Sequence, residues 1–108
     1  MPMTSKSPNT TGKKLPPVHP GEILKETLAD LGLSMNRLAQ DIRVPANRIS
    51  AIIAGQRAIT GETALRLGRY FGTTPAYWIN MQARYDLETA RDEWEARIQS
   101  EVRPRSAA

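Results

Sequence analysis

Apolar residues in this chain recur at the three- and four-residue steps of amphipathic helices, and the sharpest such pattern lies between Ser34 and Gly55. Leu38, Ala39 and Ile42 share one face of a short helix read from Met35 to Ile42. Ile49, Ile52 and Ile53 share one face of a second, read from Pro45 to Ala54, with Val44 in the turn between them. Ser34 suits the N-cap of the first because its hydroxyl accepts an orphan backbone N–H. Pro45 suits a first helical turn, and Gly55 suits the position after a helix. Ala39 is small enough to let the two helices cross closely.

Three further helices follow from the same pattern. Ile23, Leu24, Thr27, Leu28 and Leu31 form a stripe on a helix from Pro20 to Leu31, opened by His19 and stopped by Gly32, with Glu22 at its positive end. Ala64, Leu65, Leu67 and Phe71 do the same on Gly61 to Phe71, capped by Thr60, and Gly68 allows a close approach. The last helix runs from Pro75 to Ile98 or Ser100, about 36 Å at 1.5 Å per residue, longer than so small a core can cover. Its second half keeps Leu87, Ala90, Trp94 and Ile98 in register and brings Arg84 with Glu88, Arg91 with Glu95 and Glu93 with Arg97 to i,i+4 spacing. A projecting helix with an apolar stripe needs a partner. Residues 1–17, polar and proline-containing with Lys6, Lys13 and Lys14, read as a flexible tail, and 101–108 as a second. The domain between them, 18–100, is all-α.

Charge sharpens this picture. The net charge is +4, but the basic side chains concentrate around the helix pair: Arg37, Arg43, Arg48, Arg57, Arg66 and Arg69 stand against only Asp41 and Glu62 between residues 34 and 72. The outward face of the second helix is Ala46, Asn47, Arg48, Ser50 and Ala51, short and polar with no acid. A core-only helix pair has no need of such a face, whereas a helix lying in the major groove does. The last helix is the reverse, with Asp86, Glu88, Asp92, Glu93, Glu95 and Glu101 against Arg84, Arg91 and Arg97.

At these residues the chain resembles a known family. Ser34 to Gly55 is similar to the helix-turn-helix of the Xre/lambda-repressor family. The wider run resembles the HigA (VapI-like) antitoxins of type II toxin–antitoxin systems, through HPGEIL from His19, LGLSMNRLAQ from Leu31, VPANRISAIIAGQRAIT from Val44, TALRLGRYFGTTPAYWINMQ from Thr63 and ARYDL from Ala83. The resemblance implies a five-helix lambda-repressor-like domain with a long C-terminal helix. It also implies a homodimer that binds an inverted-repeat operator in double-stranded DNA, represses its own operon and neutralises a cognate HigB-type mRNA-endonuclease toxin. Gln56 and Arg57 fall where the family commonly contacts the DNA backbone. One departure stands out: the turn position after Ile42 is usually glycine in the family and here is Arg43, which costs about 1 kcal/mol if a left-handed conformation is kept.

The expected base contacts are therefore Ala46, Asn47, Arg48, Ser50 and Ala51, and the expected phosphate contacts Ser34, Asn36, Arg37, Gln40, Arg43, Gln56, Arg57 and Thr60. Trp78, Met81, Tyr85, Leu87, Trp94 and Ile98, on the dimerisation helix 75–100, are the expected dimer interface, although Trp78 also reads as core. Other functions find little support. With no cysteine and one histidine there are no disulfides and no reason to expect a metal or cofactor. No nucleophile–base pair or catalytic carboxylate pair can be assembled, and Gly55 with Gly61 lacks the G-K-[ST] ending of a phosphate loop. No apolar run spans a membrane or marks a secretory leader, so a cytoplasmic protein is expected. Two alternatives remain: a stand-alone Xre-type regulator without a toxin, and a protein-binding antitoxin or adaptor with little DNA affinity.

Overall fold

The computed structural model describes residues 15–106, so the lysines of the N-terminal tail fall outside the described residues. Five helices follow one another: α1 (Pro20–Leu31), α2 (Met35–Ile42), α3 (Ala46–Ile53), α4 (Gly61–Phe71) and α5 (Pro75–Glu101). The described residues form no strand. No helix among them is long and apolar enough to cross a membrane.

Caps set the boundaries. The side chains of Ser34, Thr60 and Thr74 accept from the backbone N–H groups of Arg37, Thr63 and Tyr77. His19 does the same for α1, its Nδ1 accepting from Gly21 N at 2.9 Å while its ring packs edge-on against Tyr85. Pro45 stands just outside α3 as its N-cap, and Ala54 just outside as its C-cap, so this helix is shorter by a residue at each end than the pattern implied. Helix α5 is longer than expected, reaching Glu101.

Leu24, Leu28, Leu38, Ile42, Ile49, Ile52, Ile59, Leu67 and Trp78 form one buried cluster at the meeting of all five helices. Two glycines set how closely the helices meet. A Cβ at Gly21 would overlap the carbonyl of Ile52, so α1 rests directly on the backbone of α3. A Cβ at Gly68 would lie 2.9 Å from the Thr73 carbonyl oxygen, and this fixes the tight return from α4 into α5.

Three readings need correction. Leu31 and Leu65 face solvent, at 61% and 62% exposure. The inner face of α4 is Thr63, Ala64, Leu67 and Gly68, which turns Leu65 outward. Trp78 is 1% exposed and donates its indole N–H to Thr73 Oγ1, so it belongs to the core and has no surface to offer a dimer. From Ala90 to Glu101 every residue of α5 is exposed, about 18 Å of helix beyond the core. There Arg91 pairs with Glu95, and Arg97 turns to Glu101 at 2.7 Å and lies over the Trp94 ring.

Candidate nucleic-acid interface

Helix α3 buries Ile49 and Ile52 and, with its 3.6-residue period, turns Ala46, Asn47 and Ser50 outward on one face, with Ala51 half-buried beside them. Ser50 donates its hydroxyl to the Asn47 carbonyl at 3.2 Å. No bond from another described residue engages the Asn47 side-chain amide, which leaves both its donor and its acceptor for a base edge.

Arg48 lies differently from the rest of the expected base-contact set. Its side chain is only 18% exposed and turns toward α4, where Nη1 reaches Glu62 Oε1 at 3.5 Å. Its Nε is buried without an acceptor. Glu62 is held more closely by Arg66, at 3.0 Å, and Arg66 also donates to the Ile42 carbonyl at 2.9 Å, stitching the end of α2 to α4. The hydrogen bond from Arg66, then the nearby Arg48 and Arg66 charges, hold the Glu62 carboxyl below its usual range.

The expected phosphate contacts divide. Ser34 and Thr60 use their hydroxyl oxygens as helix caps. Asn36, Arg37 and Gln40 are exposed along α2, although Arg37 also shares a 3.1 Å ion pair with Asp41. Gln56 and Arg57 stand exposed in the loop after α3. Arg43 is exposed at the other end of α2 from Ser34, about 12 Å along the axis. It borders a shallow cleft of ≈ 250 Å³ with Asp41, Arg66, Arg69 and Tyr70 rather than joining the α3 face. Its φ of 64° keeps the left-handed turn despite the missing glycine.

The pattern of apolar positions gave no sign of Gln82. This residue of α5 is buried, accepts the Ile59 N–H on Oε1 at 2.8 Å and donates from Nε2 to Asp86 at 2.9 Å. It pins the far end of the loop carrying Gln56 and Arg57. Its only signal in the sequence is a polar residue one step from Met81 on a helix that must pass the core. On the same helix Met81 and Tyr85 are half-buried, and Leu87, Trp94 and Ile98 are exposed. Leu87, Ala90, Arg91, Glu95, Ile98 and Gln99 line a groove of ≈ 270 Å³.

Comparison with known proteins places this geometry in a family. Residues 24–78, all of the helix-turn-helix and most of its supporting core, match the HTH_3 helix-turn-helix family model. Virulence-associated protein I of Dichelobacter nodosus is 48% identical over 81 residues, covering 74% of this chain and 75% of its own. An addiction module antidote protein of the HigA family from Coxiella burnetii superposes with a TM-score of 0.81 at 47% identity, over 84% of this chain and 100% of its own. The Pseudomonas aeruginosa antitoxin HigA, solved with the higBA promoter, gives 0.79 at 40% identity, over 82% and 97%. Five helices in this order, an exposed α3 and these likenesses lead to one conclusion: the chain belongs to the HTH_3 helix-turn-helix family, among the HigA antitoxins.

Proposed function

We propose that this chain is a homodimeric, sequence-specific DNA-binding antitoxin of a HigBA-type module, which represses its own operon and neutralises a HigB-type mRNA-endonuclease toxin in the cytoplasm. The observation that carries this reading is the face of α3. Ala46, Asn47 and Ser50 stand clear of the core, on a chain like one solved with its promoter. Two-fold symmetry sets two such helices about 34–36 Å apart, in successive major grooves of an inverted repeat. Asn47 pairs bidentately with adenine, and the alanines offer only apolar contact to a thymine methyl. Specificity is therefore modest and draws on DNA shape. Asn36, Arg37, Gln40, Gln56 and Arg57 position the duplex through its phosphates, with Ser34 and Thr60 at their helix ends. The reading is of a binding protein and not of an enzyme. Exposed Leu87, Trp94 and Ile98 are the proposed dimer contacts, with half-buried Met81 and Tyr85 at their edge.

Arg48 favours a second reading, a partner-binding antitoxin with little DNA affinity, because its turn toward Glu62 leaves the presented face of α3 uncharged. Titration of the chain's own promoter DNA against a scrambled duplex, over a range of salt, separates the two. If each subunit engages about four phosphates, log affinity falls against log salt with a slope near −7. Asn47→Ala relaxes specificity at one base step and costs about 1–3 kcal/mol, whereas Arg57→Ala weakens all sequences alike. A slope shallower than about −3 favours the partner-binding reading, whereas identical behaviour of the two variants overturns the division into base and phosphate contacts.

A further inference from the structure

Arg48 is poorly satisfied where it stands. A guanidinium carries five donors. Here Nε is buried with no acceptor, and the one bond described, to Glu62, is 3.5 Å long, at the outer limit of a hydrogen bond. The carboxylate it reaches for is already taken at 3.0–3.1 Å by Arg66. The ties that hold α4 in place do not use the pair: Arg66 bonds the Ile42 carbonyl at the end of α2, and Gln82 of α5 bonds Ile59 in the loop before α4. Glu62 is 57% exposed, so separating it from Arg48 leaves its charge in water, and such pairs contribute little.

We infer that Glu62 masks Arg48, a reader of DNA adjacent to Asn47, and that the mask opens only when DNA offers an acceptor better than the shared carboxylate. The inference rests on the DNA-binding reading above. The O6 and N7 of a guanine satisfy two guanidinium donors at once, which Glu62 does not. While closed, Arg48 rests against a carboxylate that partly offsets its charge and that of Arg66, so it contributes little counterion release. On DNA without a well-placed guanine it stays closed, and Arg48 adds nothing. Glu62 thus sets how sharply the protein separates its operator from other sequences, acting on the reader rather than touching DNA itself.

The test is Glu62→Gln in the full chain, with fluorescence anisotropy on promoter and scrambled duplexes across a salt series. Freed in both subunits, Arg48 adds about two phosphate-type contacts to the dimer, so the slope against log salt steepens by about 2. Affinity for scrambled DNA rises on the order of tenfold. Promoter affinity rises less, and the ratio between the two falls. Glu62→Asp, which keeps the charge but shortens the reach, moves the same quantities in the same direction by less. In the Arg48→Ala, Glu62→Gln double variant the gain disappears, with thermal melts confirming that both proteins fold.

An unchanged slope in Glu62→Gln, with the wild type still binding its promoter, overturns the mask and leaves the DNA-binding reading intact. A gain that persists without Arg48 also overturns it, because Glu62 then acts by repelling phosphate directly. A wild type that binds neither duplex removes the DNA-binding reading, and the mask with it.

Discussion

Arg43 shows at the level of one residue how far sequence and structure agree. The turn after Ile42 asks for a left-handed residue, and an arginine occupies it at φ 64° and ψ 47°, its N–H bonding back to Ala39 and Gln40. The departure from glycine was visible in the sequence, but whether the conformation survived it was not, because that depends on how α2 and α3 pack. Since the strain is kept, Arg43→Gly raises unfolding stability by about 1 kcal/mol in a urea titration. A drop instead would mean that the arginine side chain more than offsets its backbone. Gly21 is the opposite case. Its helical backbone needs no glycine, so nothing local marks it; the need comes from Ile52, thirty-one positions away, whose carbonyl fills the space of a side chain. Residues constrained by their own dihedral angles were legible, and those constrained by a distant backbone were not.

At the level of elements the helical pattern located all five helices, because each carries an apolar stripe and an identifiable cap. It erred where it counted every apolar residue as core, as with Leu31 and Leu65, and it overlooked polar ties between helices. Gln82 is the chief of these. Replacing it with leucine leaves the buried Ile59 N–H without an acceptor, which costs about 1–3 kcal/mol. It also loosens the loop of Gln56 and Arg57, so Gln82→Leu lowers both the melting temperature and promoter affinity. Gln82→Glu keeps that acceptor but sets a second carboxylate against Asp86, so it too loses stability at neutral pH. A second tie joins α2 to α4: Tyr70 donates its hydroxyl to Asp41, which also accepts from Arg37. The Tyr70 bond, more than Arg37, holds the Asp41 carboxyl below its usual range, and Asp41 in turn raises the Tyr70 phenol. The depressed carboxyl contributes stability that is present above the ordinary carboxylate range and lost as pH falls through and below about 4. The raised phenol contributes stability present below about pH 10 and lost above it. Tyr70→Phe therefore flattens both ends of a melting-temperature profile against pH, and a variant curve parallel to wild type would show that the tie contributes nothing.

For the whole molecule, the decisive feature is that the chain is built in two parts of opposite character. The core and its basic helix pair end near Thr89. Beyond that, α5 continues as an exposed helix whose apolar stripe, begun at Leu87, runs through Trp94 and Ile98, at 53%, 42% and 49% exposure. A core of about 80 residues buries only some 60–65% of its unfolded surface, so covering this stripe with a second copy adds stability as well as symmetry. The consequence for DNA is larger than the contact itself. A single α3 presents few base readers, Asn47 foremost, and two such helices linked in one dimer turn the second binding event into an intramolecular one, with a gain of order 10²–10⁴ in affinity. Leu87→Glu with Ile98→Glu places charge in the stripe without touching the core or α3. The expected result is a shift to monomer in sedimentation, a melting temperature that no longer rises with protein concentration, and promoter affinity lower by about that factor. If the variant stays dimeric and binds as tightly as wild type, the stripe serves another partner. The half-buried pair Met81 and Tyr85, nearer the core, would then be the remaining place on α5 for the second copy to sit.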